Sequence, residues 1–441
     1  MKNIIIVGLV SFLFLFSTSC EKYVAGINID PNNFTDAPGE LIIGQAELSW
    51  LLLSEGESAR LSGIFTDQFT GFSNQYINFN AYDVIASDFN GIWSNGYAVG
   101  LAQTRIVKEK ATASGNKVLV GVSQIVEGAL ISEMAALFGD VPFSQSINPT
   151  EFPNPSYDDQ KSVLDAAQLL FSEGIANVGN ARVIDFYGAP IFVSNNALWS
   201  EVGHSLKARY YLVTKEYTKA RDEAKLGIGA VDRGLQAFHS DTDGQRNLFY
   251  QFGIEQRGGY LTATRSYLRK LINLSDVTAD RLLFTPGEQE RFAKYFQGNE
   301  LNYSSTGYFA KEAPYPIIDW YENQLILAEC EVRLGNDEAA RTAFNAVRQQ
   351  LERVYGGSFP TVEIGGSTLL RVILEEKYIT LIGSVQVFND IRRTKNLLNI
   401  PIKNTTANKI PQRFIYPQDE LNTNKSFPGL VNIFQETKVN L

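Results

Sequence analysis

Two stretches of the chain interleave aromatic rings with amide and hydroxyl side chains, a pattern suited to binding a ligand. The first covers residues 65–82 and the second residues 295–321. A sugar presents an apolar C–H face and a polar rim, so a ring for stacking beside amide groups suits it as a receptor. An extended peptide could use the same kind of surface. The two stretches therefore indicate a binding site for one of these two ligand classes.

The rings in these stretches differ in their sequence neighbours. The alternative role for any one of them is to pack a loop onto a helix, as most aromatic side chains do. Rings that lie among Asn, Ser and Gly, outside apolar stripes, are the better candidates for exposure: Tyr76, Phe79, Tyr303 and Tyr308. Together with Phe72 and Asn74 they form the predicted ligand-binding set.

Signatures of catalysis are missing from the sequence. It contains no phosphate-binding loop, no GxSxG elbow, no HExxH and no CxxC. The two histidines, His204 and His239, are too far apart in sequence to suggest a metal site. A pair of carboxylates could form a glycosidase dyad, but no spacing singles out a pair. We therefore predict a binding protein with no catalytic residues, no metal ligands and no cofactor.

The N-terminus resembles a lipoprotein export signal. Residues 4–16 are an uninterrupted apolar-to-small run, too short for a membrane span of about 20 residues. Small residues follow and lead directly to Cys20. We predict that residues 1–19 are a signal peptide and that Cys20 becomes an acylated N-terminus. The alternative is an ordinary secretory signal with Cys20 as a bystander. The other cysteine, Cys330, lies in an apolar helical pattern and is predicted to be buried and unpaired.

Composition excludes one class of partner. The formal net charge is −9, which argues against nucleic acid. Hydrophobic residues make up 44% of the chain, enough for a substantial core.

The elements that must position the aromatic stretches are mostly helices. Residues 117–138 predict one long helix, and residues 38–70 predict two helices that separate near residues 54–56. Residues 320–335 and 337–351 each carry one apolar stripe and are joined by a short turn, which indicates a helical hairpin of the tetratricopeptide-like kind. We predict a mainly α fold, an α-α superhelix of such hairpins. The scaffold covers residues 36–228 and 317–441, and an irregular, loop-rich subdomain covers residues 229–316.

An ordered set of short motifs resembles the SusD/RagB family of nutrient-binding outer-membrane lipoproteins, in a divergent SusD-like branch. A Pro-containing segment leads into a helix that carries a Glu, and an Ala-Glu step and a Leu-Gly turn follow. A Tyr-Pro…Glu…Asn signature comes near the C-terminal end of the sequence. The matching segments are residues 28–38, 138–143, 313–335, 339–348, 373–377, 388–394 and 413–422.

This resemblance implies a surface lipoprotein on the outer membrane of a Bacteroidetes-type bacterium, formed as a single domain over residues 20–441. The expected function is capture of an oligosaccharide and its delivery to a SusC-like TonB-dependent transporter. Oligopeptide capture and a structural lid that binds no ligand are the alternatives. The resemblance also implies that Glu322 and Arg348 fix helix packing and do not contact the ligand.

Overall fold

Apolar residues at helical spacing determine most of the architecture. The computed structural model describes residues 37–183, 191–193, 196–276 and 281–441. The predicted signal peptide and Cys20 lie outside these residues. The mainly α fold class is confirmed. In chain order the α-helices are α1 Gly39–Glu55, α2 Glu57–Phe65, α3 Gln75–Asn80, α4 Asn90–Ser94, α5 Ala102–Ser114, α6 Lys117–Phe138, α7 Gln160–Val178, α8 Trp199–Val213, α9 Tyr217–Leu226, α10 Leu248–Tyr250, α11 Tyr267–Ile272, α12 Glu288–Tyr295, α13 Trp320–Arg333, α14 Asp337–Tyr355, α15 Gly366–Thr380, α16 Gln386–Arg393 and α17 Gln418–Thr423.

Strands in the described residues are short. They pair antiparallel: β1 with β4, β3 with both β2 and β7, and β5 with β6. Their bounds are β1 Thr70–Gly71, β2 Phe192–Val193, β3 Leu235–Ala237, β4 Leu261–Thr262, β5 Phe296–Gln297, β6 Glu300–Leu301 and β7 Tyr315–Ile318. Single 3₁₀ turns cover Ala86–Phe89, Val231–Arg233 and Lys438–Asn440, and π-helical segments cover Asn95–Leu101 and Gln251–Gln256.

The longest helix, α6, lies at the centre of the helical scaffold. Asn116 caps its start, because the Asn116 side chain accepts a hydrogen bond from the Leu119 amide. The helix ends before Gly139, which has a positive φ of 91°. It is long and apolar enough to cross a membrane, but 89% of its apolar window is buried within the protein. Helix α6 is therefore a core helix here.

Consecutive helices pack as antiparallel hairpins. Helix α6 packs against α7, α8 against α9, and α13 against α14, while α7 also contacts α8. Close approach in the first hairpin depends on glycine: a Cβ at Gly121 would lie 2.7 Å from the carbonyl oxygen of Gly174. Helix α13 packs against α9, although residues 229–316 lie between the two helices in the sequence; we call residues 229–316 the inserted segment. The helical hairpin predicted from residues 320–351 is confirmed as α13 and α14.

Buried ion pairs connect these hairpins. The Arg209 guanidinium on α8 contacts the Glu322 carboxylate on α13 at 2.6 Å, with both side chains 4% exposed. Arg348 on α14 contacts Glu376 on α15 at 2.7 Å. Removing one partner would leave an unpaired charge in the interior, which is costly. The packing role expected for Glu322 and Arg348 is confirmed.

A larger set of buried charges connects the inserted segment to the helical scaffold. We call it the charge cluster. It contains three arginines and three glutamates, so that its formal charge is balanced. Its members are Arg281, Glu288 and Arg291 from the inserted segment and Arg348, Glu375 and Glu376 from α14 and α15.

Candidate ligand-binding cleft

An open cleft lies where α2 and the two π-helical segments meet. Its volume is about 310 Å³, close to the lower end of the range for small-ligand sites. Carboxylate, guanidinium and amide side chains alternate around it with a few apolar groups. The lining residues are Leu52, Gly56, Glu57, Arg60, Asp88, Gly91, Ile92, Asn95, Leu248, Gln251 and Gln256.

Both π-helical segments of the described residues contribute to this cleft. Asn95 begins the first, and Gln251 and Gln256 begin and end the second. π-Helical turns are rare and are frequent at functional sites, because the wider turn redirects side chains. The second segment also needs glycine, since a Cβ at Gly253 would lie 2.2 Å from the Tyr303 hydroxyl oxygen. The two segments turn three amide side chains toward one cleft.

The end of α1 holds the second π-helical segment in place. Glu55 Oε1 accepts a hydrogen bond from the Leu248 amide at 2.9 Å, and Glu55 Oε2 lies 2.9 Å from His239 Nε2. Both side chains are buried. Glu55 thus positions the chain just before Gln251.

Two lining residues of the cleft, Glu57 and Arg60, form a hydrogen-bonded triad with the buried Tyr76. Arg60 donates from Nε to Glu57 Oε2 at 3.1 Å and to the Tyr76 hydroxyl at 3.0 Å. That hydroxyl donates to Glu57 Oε2 at 2.8 Å. The guanidinium also lies over the Phe252 ring, 4.2 Å from its centroid. The triad orients Glu57 and Arg60 and satisfies the charge of Arg60 within the protein.

The prediction that Tyr76 and Phe79 are exposed is wrong. Their side chains are 0% and 3% exposed. Tyr76 stacks on Phe252 at a centroid distance of 4.9 Å, and its ring also contacts Phe79 at 5.2 Å. Their polar sequence neighbours gave no sign of this burial, because the ring that covers Tyr76 comes from a distant part of the chain. Tyr76 does not line the cleft but bonds to Glu57 and Arg60 through its hydroxyl, and Phe79 supports the ring of Tyr76.

Phe72 and Asn74 are exposed, and the Phe72 ring is 54% accessible. The Phe72 amide donates to the Tyr260 carbonyl at 2.8 Å, next to the pairing of β1 with β4. Tyr260 in turn contacts the Tyr76 ring at 6.0 Å. Phe72 is therefore joined to the triad through Tyr260, and its own ring is accessible for stacking.

Tyr303 and Tyr308 are partly buried, so full exposure of these rings is also wrong. Tyr303 packs against Tyr250 at 6.2 Å, and its hydroxyl has no hydrogen-bond partner among the described residues. Tyr308 packs between Tyr295 at 5.2 Å and Phe309 at 5.1 Å. Burial raises the pKa of both hydroxyls above the ordinary tyrosine range. These two rings support the inserted segment from behind the cleft.

Charged and amide residues of the cleft were missed by reasoning from sequence. Glu57 and Arg60, three residues apart on one helix, look like an ordinary surface ion pair. Asp88 lies in a 3₁₀ turn, where its Oδ2 accepts from the Ile85 amide at 2.8 Å, as a local cap would. Only the fold brings these residues together with Asn95 and Gln251.

Electrostatics in the cleft favour a positive or neutral occupant. Burial raises the pKa of the Asp88 carboxyl, although its hydrogen bond from the Ile85 amide lowers it, and the nearby negative charges of Glu57 and Asp83 raise it further. No cluster of His, Cys, Asp and Glu suited to a metal ion occurs among the described residues. The cleft offers hydrogen-bond acceptors and amides, the groups that bind hydroxyls.

Comparison with known proteins agrees with the motifs. A family model described as "starch-binding associating with outer membrane", of the SusD-like type, matches residues 31–417. A comparison with curated proteins gave no match.

Solved structures share the fold. A SusD/RagB family protein from Bacteroides thetaiotaomicron is 20% identical, with 89% of this chain and 95% of that chain covered and a TM-score of 0.65. A SusD homologue from Bacteroides fragilis is 18% identical, with 92% and 99% covered and a TM-score of 0.65. A chitin-binding SusD homologue from Flavobacterium johnsoniae is 16% identical, with 92% and 97% covered and a TM-score of 0.66. Because the family model spans most of the sequence and these folds cover nearly all of it, the chain belongs to the SusD-like family.

Proposed function

We propose that this protein is a non-catalytic outer-membrane lipoprotein that captures an oligosaccharide nutrient in the cleft and passes it to a SusC-like TonB-dependent transporter. Removal of residues 1–19 would leave Cys20 as the acylated N-terminus, anchoring the protein on the cell surface.

The observation that carries this proposal is the composition of the cleft. Asn95, Gln251 and Gln256 present amides that can both donate to and accept from sugar hydroxyls. Outside the cleft lining, Phe72 offers an exposed ring for the apolar face of a sugar. Asn74 is exposed beside it. The family's starch-binding description and the chitin-binding relative support a glycan over other ligands.

Openness of the cleft suits a delivery role. The site is a cleft and not an enclosed cavity, so a bound ligand keeps a route out. A protein that passes its ligand to a transporter needs modest affinity and fast release, since most differences in affinity arise from dissociation rates.

Calorimetry with a panel of neutral oligosaccharides and mixed oligopeptides tests the proposal. We expect at least one oligosaccharide to bind and the peptides not to bind. Binding of peptides alone would replace the glycan function with oligopeptide capture. Binding of neither class would favour a structural lid for the transporter.

Two substitutions locate the site. We expect Phe72→Ala and Gln256→Ala each to weaken oligosaccharide binding about tenfold, which corresponds to about 1.4 kcal/mol. Phe284→Ala is the matched control, because Phe284 is also an exposed ring (79%) outside the cleft lining but, unlike Phe72, is not bonded to Tyr260, whose ring packs on Tyr76. Equal affinities in all three variants would place the binding site elsewhere.

A further inference from the structure

Carboxylates outnumber cations in the cleft. Its charged lining residues are Glu57, Asp88 and Arg60, which leaves a formal charge of −1. The Arg60 guanidinium is already engaged by Glu57 and by the Phe252 ring. An anionic ligand would therefore find no unpaired cation on this lining.

Acceptor oxygens remain available on both acids. Every hydrogen bond that Glu57 makes within the described residues uses Oε2, which leaves Oε1 for a ligand. Asp88 likewise uses Oδ2 for the Ile85 amide. The two carboxylates lie close enough for the charge of Glu57 to raise the pKa of Asp88. A cation placed between them would relieve this repulsion.

An ammonium group satisfies these conditions because it carries three donors and no acceptor. The amides of Asn95, Gln251 and Gln256 remain for hydroxyls on the same ligand. We propose that the cleft prefers oligosaccharides of amino sugars, in which a free 2-ammonium group lies between Glu57 and Asp88, over neutral sugars and uronic acids. This inference rests on the proposed glycan-binding function.

A matched pair of ligands tests the preference. Hexamers of β-1,4-linked glucosamine and of β-1,4-linked glucose differ only in an ammonium or a hydroxyl at each C2. By calorimetry at low salt we expect the glucosamine hexamer to bind about tenfold more tightly, and a uronic acid oligomer to bind more weakly than either. The advantage should shrink as salt rises, because mobile ions screen the charges.

Two variants assign the effect to the cleft. We expect Asp88→Asn to remove most of the tenfold preference, because it should weaken binding of the glucosamine hexamer much more than binding of the glucose hexamer. Glu109→Gln is the control, because it removes the same charge from an exposed position on α5, fourteen residues beyond Asn95. The preference should also fall in acid as Asp88 takes up a proton.

The outcomes separate this inference from the function beneath it. Equal or tighter binding of the glucose hexamer would overturn the amino-sugar preference and leave oligosaccharide capture standing. A preference that Glu109→Gln abolishes as fully as Asp88→Asn would also overturn it, since net charge and not the cleft would be responsible. If none of the hexamers binds, whereas lysine-containing peptides do, both the inference and the proposed function fail.

Discussion

The charge cluster and the cleft contain the same kinds of residue and use them in opposite ways. In the charge cluster three arginines and three glutamates are buried and paired with one another. In the cleft there are two carboxylates and one arginine, which pairs with Glu57 and not with Asp88, and the side chains remain partly accessible. The charge cluster therefore has no net charge to offer a ligand, whereas the cleft has a net charge of −1.

The pKa of Glu376 in the charge cluster and that of Asp88 in the cleft are shifted in opposite directions. Burial opposes ionisation of Glu376, yet Arg291, Arg348 and Arg281 together hold the pKa of Glu376 below its usual range. Burial and the charge of Glu57 instead raise the pKa of Asp88. Glu376, which several arginines contact, is thus stabilised in its charged form, whereas burial raises the pKa of Glu375, whose ion pair is with Arg281.

Breaking the balance of the charge cluster should have the largest effect on stability. We expect Glu376→Gln to lower the free energy of unfolding by about 3–5 kcal/mol, because three buried guanidinium groups would then face two carboxylates. Denaturant unfolding followed by circular dichroism measures this. Glu338→Gln, at an exposed position on α14, is the control and should change the free energy by less than about 0.5 kcal/mol. Similar losses in the two variants would contradict the importance of the charge cluster.

Acid should weaken the helical scaffold by protonating buried glutamates that are paired with cations. Burial opposes the ionisation of Glu329 too, but Arg393, Lys377 and Arg333 lower its pKa, as happens for Glu376. A lowered native pKa gives stability that is complete above the ordinary glutamate value of 4.5 and is lost as pH falls below it. We therefore expect these two glutamates to contribute a constant stability above about pH 5 and to lower the thermal midpoint at more acid pH.

Glu376→Gln should lose less stability between pH 5 and pH 3 than the unmodified protein does. An identical loss would show that other carboxylates cause the acid response.

A smaller change tests the triad of the cleft. Tyr76→Phe keeps the buried ring and removes only the hydroxyl that joins Arg60 to Glu57. We expect a loss of about 1 kcal/mol in unfolding free energy and a several-fold weaker affinity for the oligosaccharide. Tyr82→Phe is the matched control, since it removes a hydroxyl that accepts from the Lys403 amide outside the cleft. If both variants bind equally well, Tyr76 is a core residue only.

Much of the helical scaffold could be predicted from sequence because its signals are local. Residues 117–138 form one helix as predicted, since Asn116 caps its start and Gly139 ends it. The separation of α1 from α2 at Gly56 also agrees with prediction, and a Cβ there would lie 2.3 Å from the Leu52 carbonyl oxygen. The division of the chain into a scaffold and a separate subdomain at residues 229–316 stays a prediction.

Less of the site could be predicted, because it depends on contacts between distant residues. Tyr76 lies among Asn and Gln in sequence, which favoured exposure, but Phe252 covers its ring. Glu57 and Asp88 carry no sequence signal, since one looks like half of a helical ion pair and the other like a cap. The binding role of residues 65–82 stays a prediction: Tyr76 among them bonds to Glu57 and Arg60, but the side chains that line the cleft are different ones.

The π-helical segments at Asn95–Leu101 and Gln251–Gln256 have a consequence for how such a cleft can diverge. A π turn holds one more residue than an α turn. Deleting one residue within Asn95–Leu101 would let the helix rewind as α, which would change the side chains that the segment itself presents, Asn95 included. Helix α5 would keep its register against α6. Single-residue insertions and deletions at these two positions are therefore a route to new ligand specificity that leaves the packed hairpins unaltered.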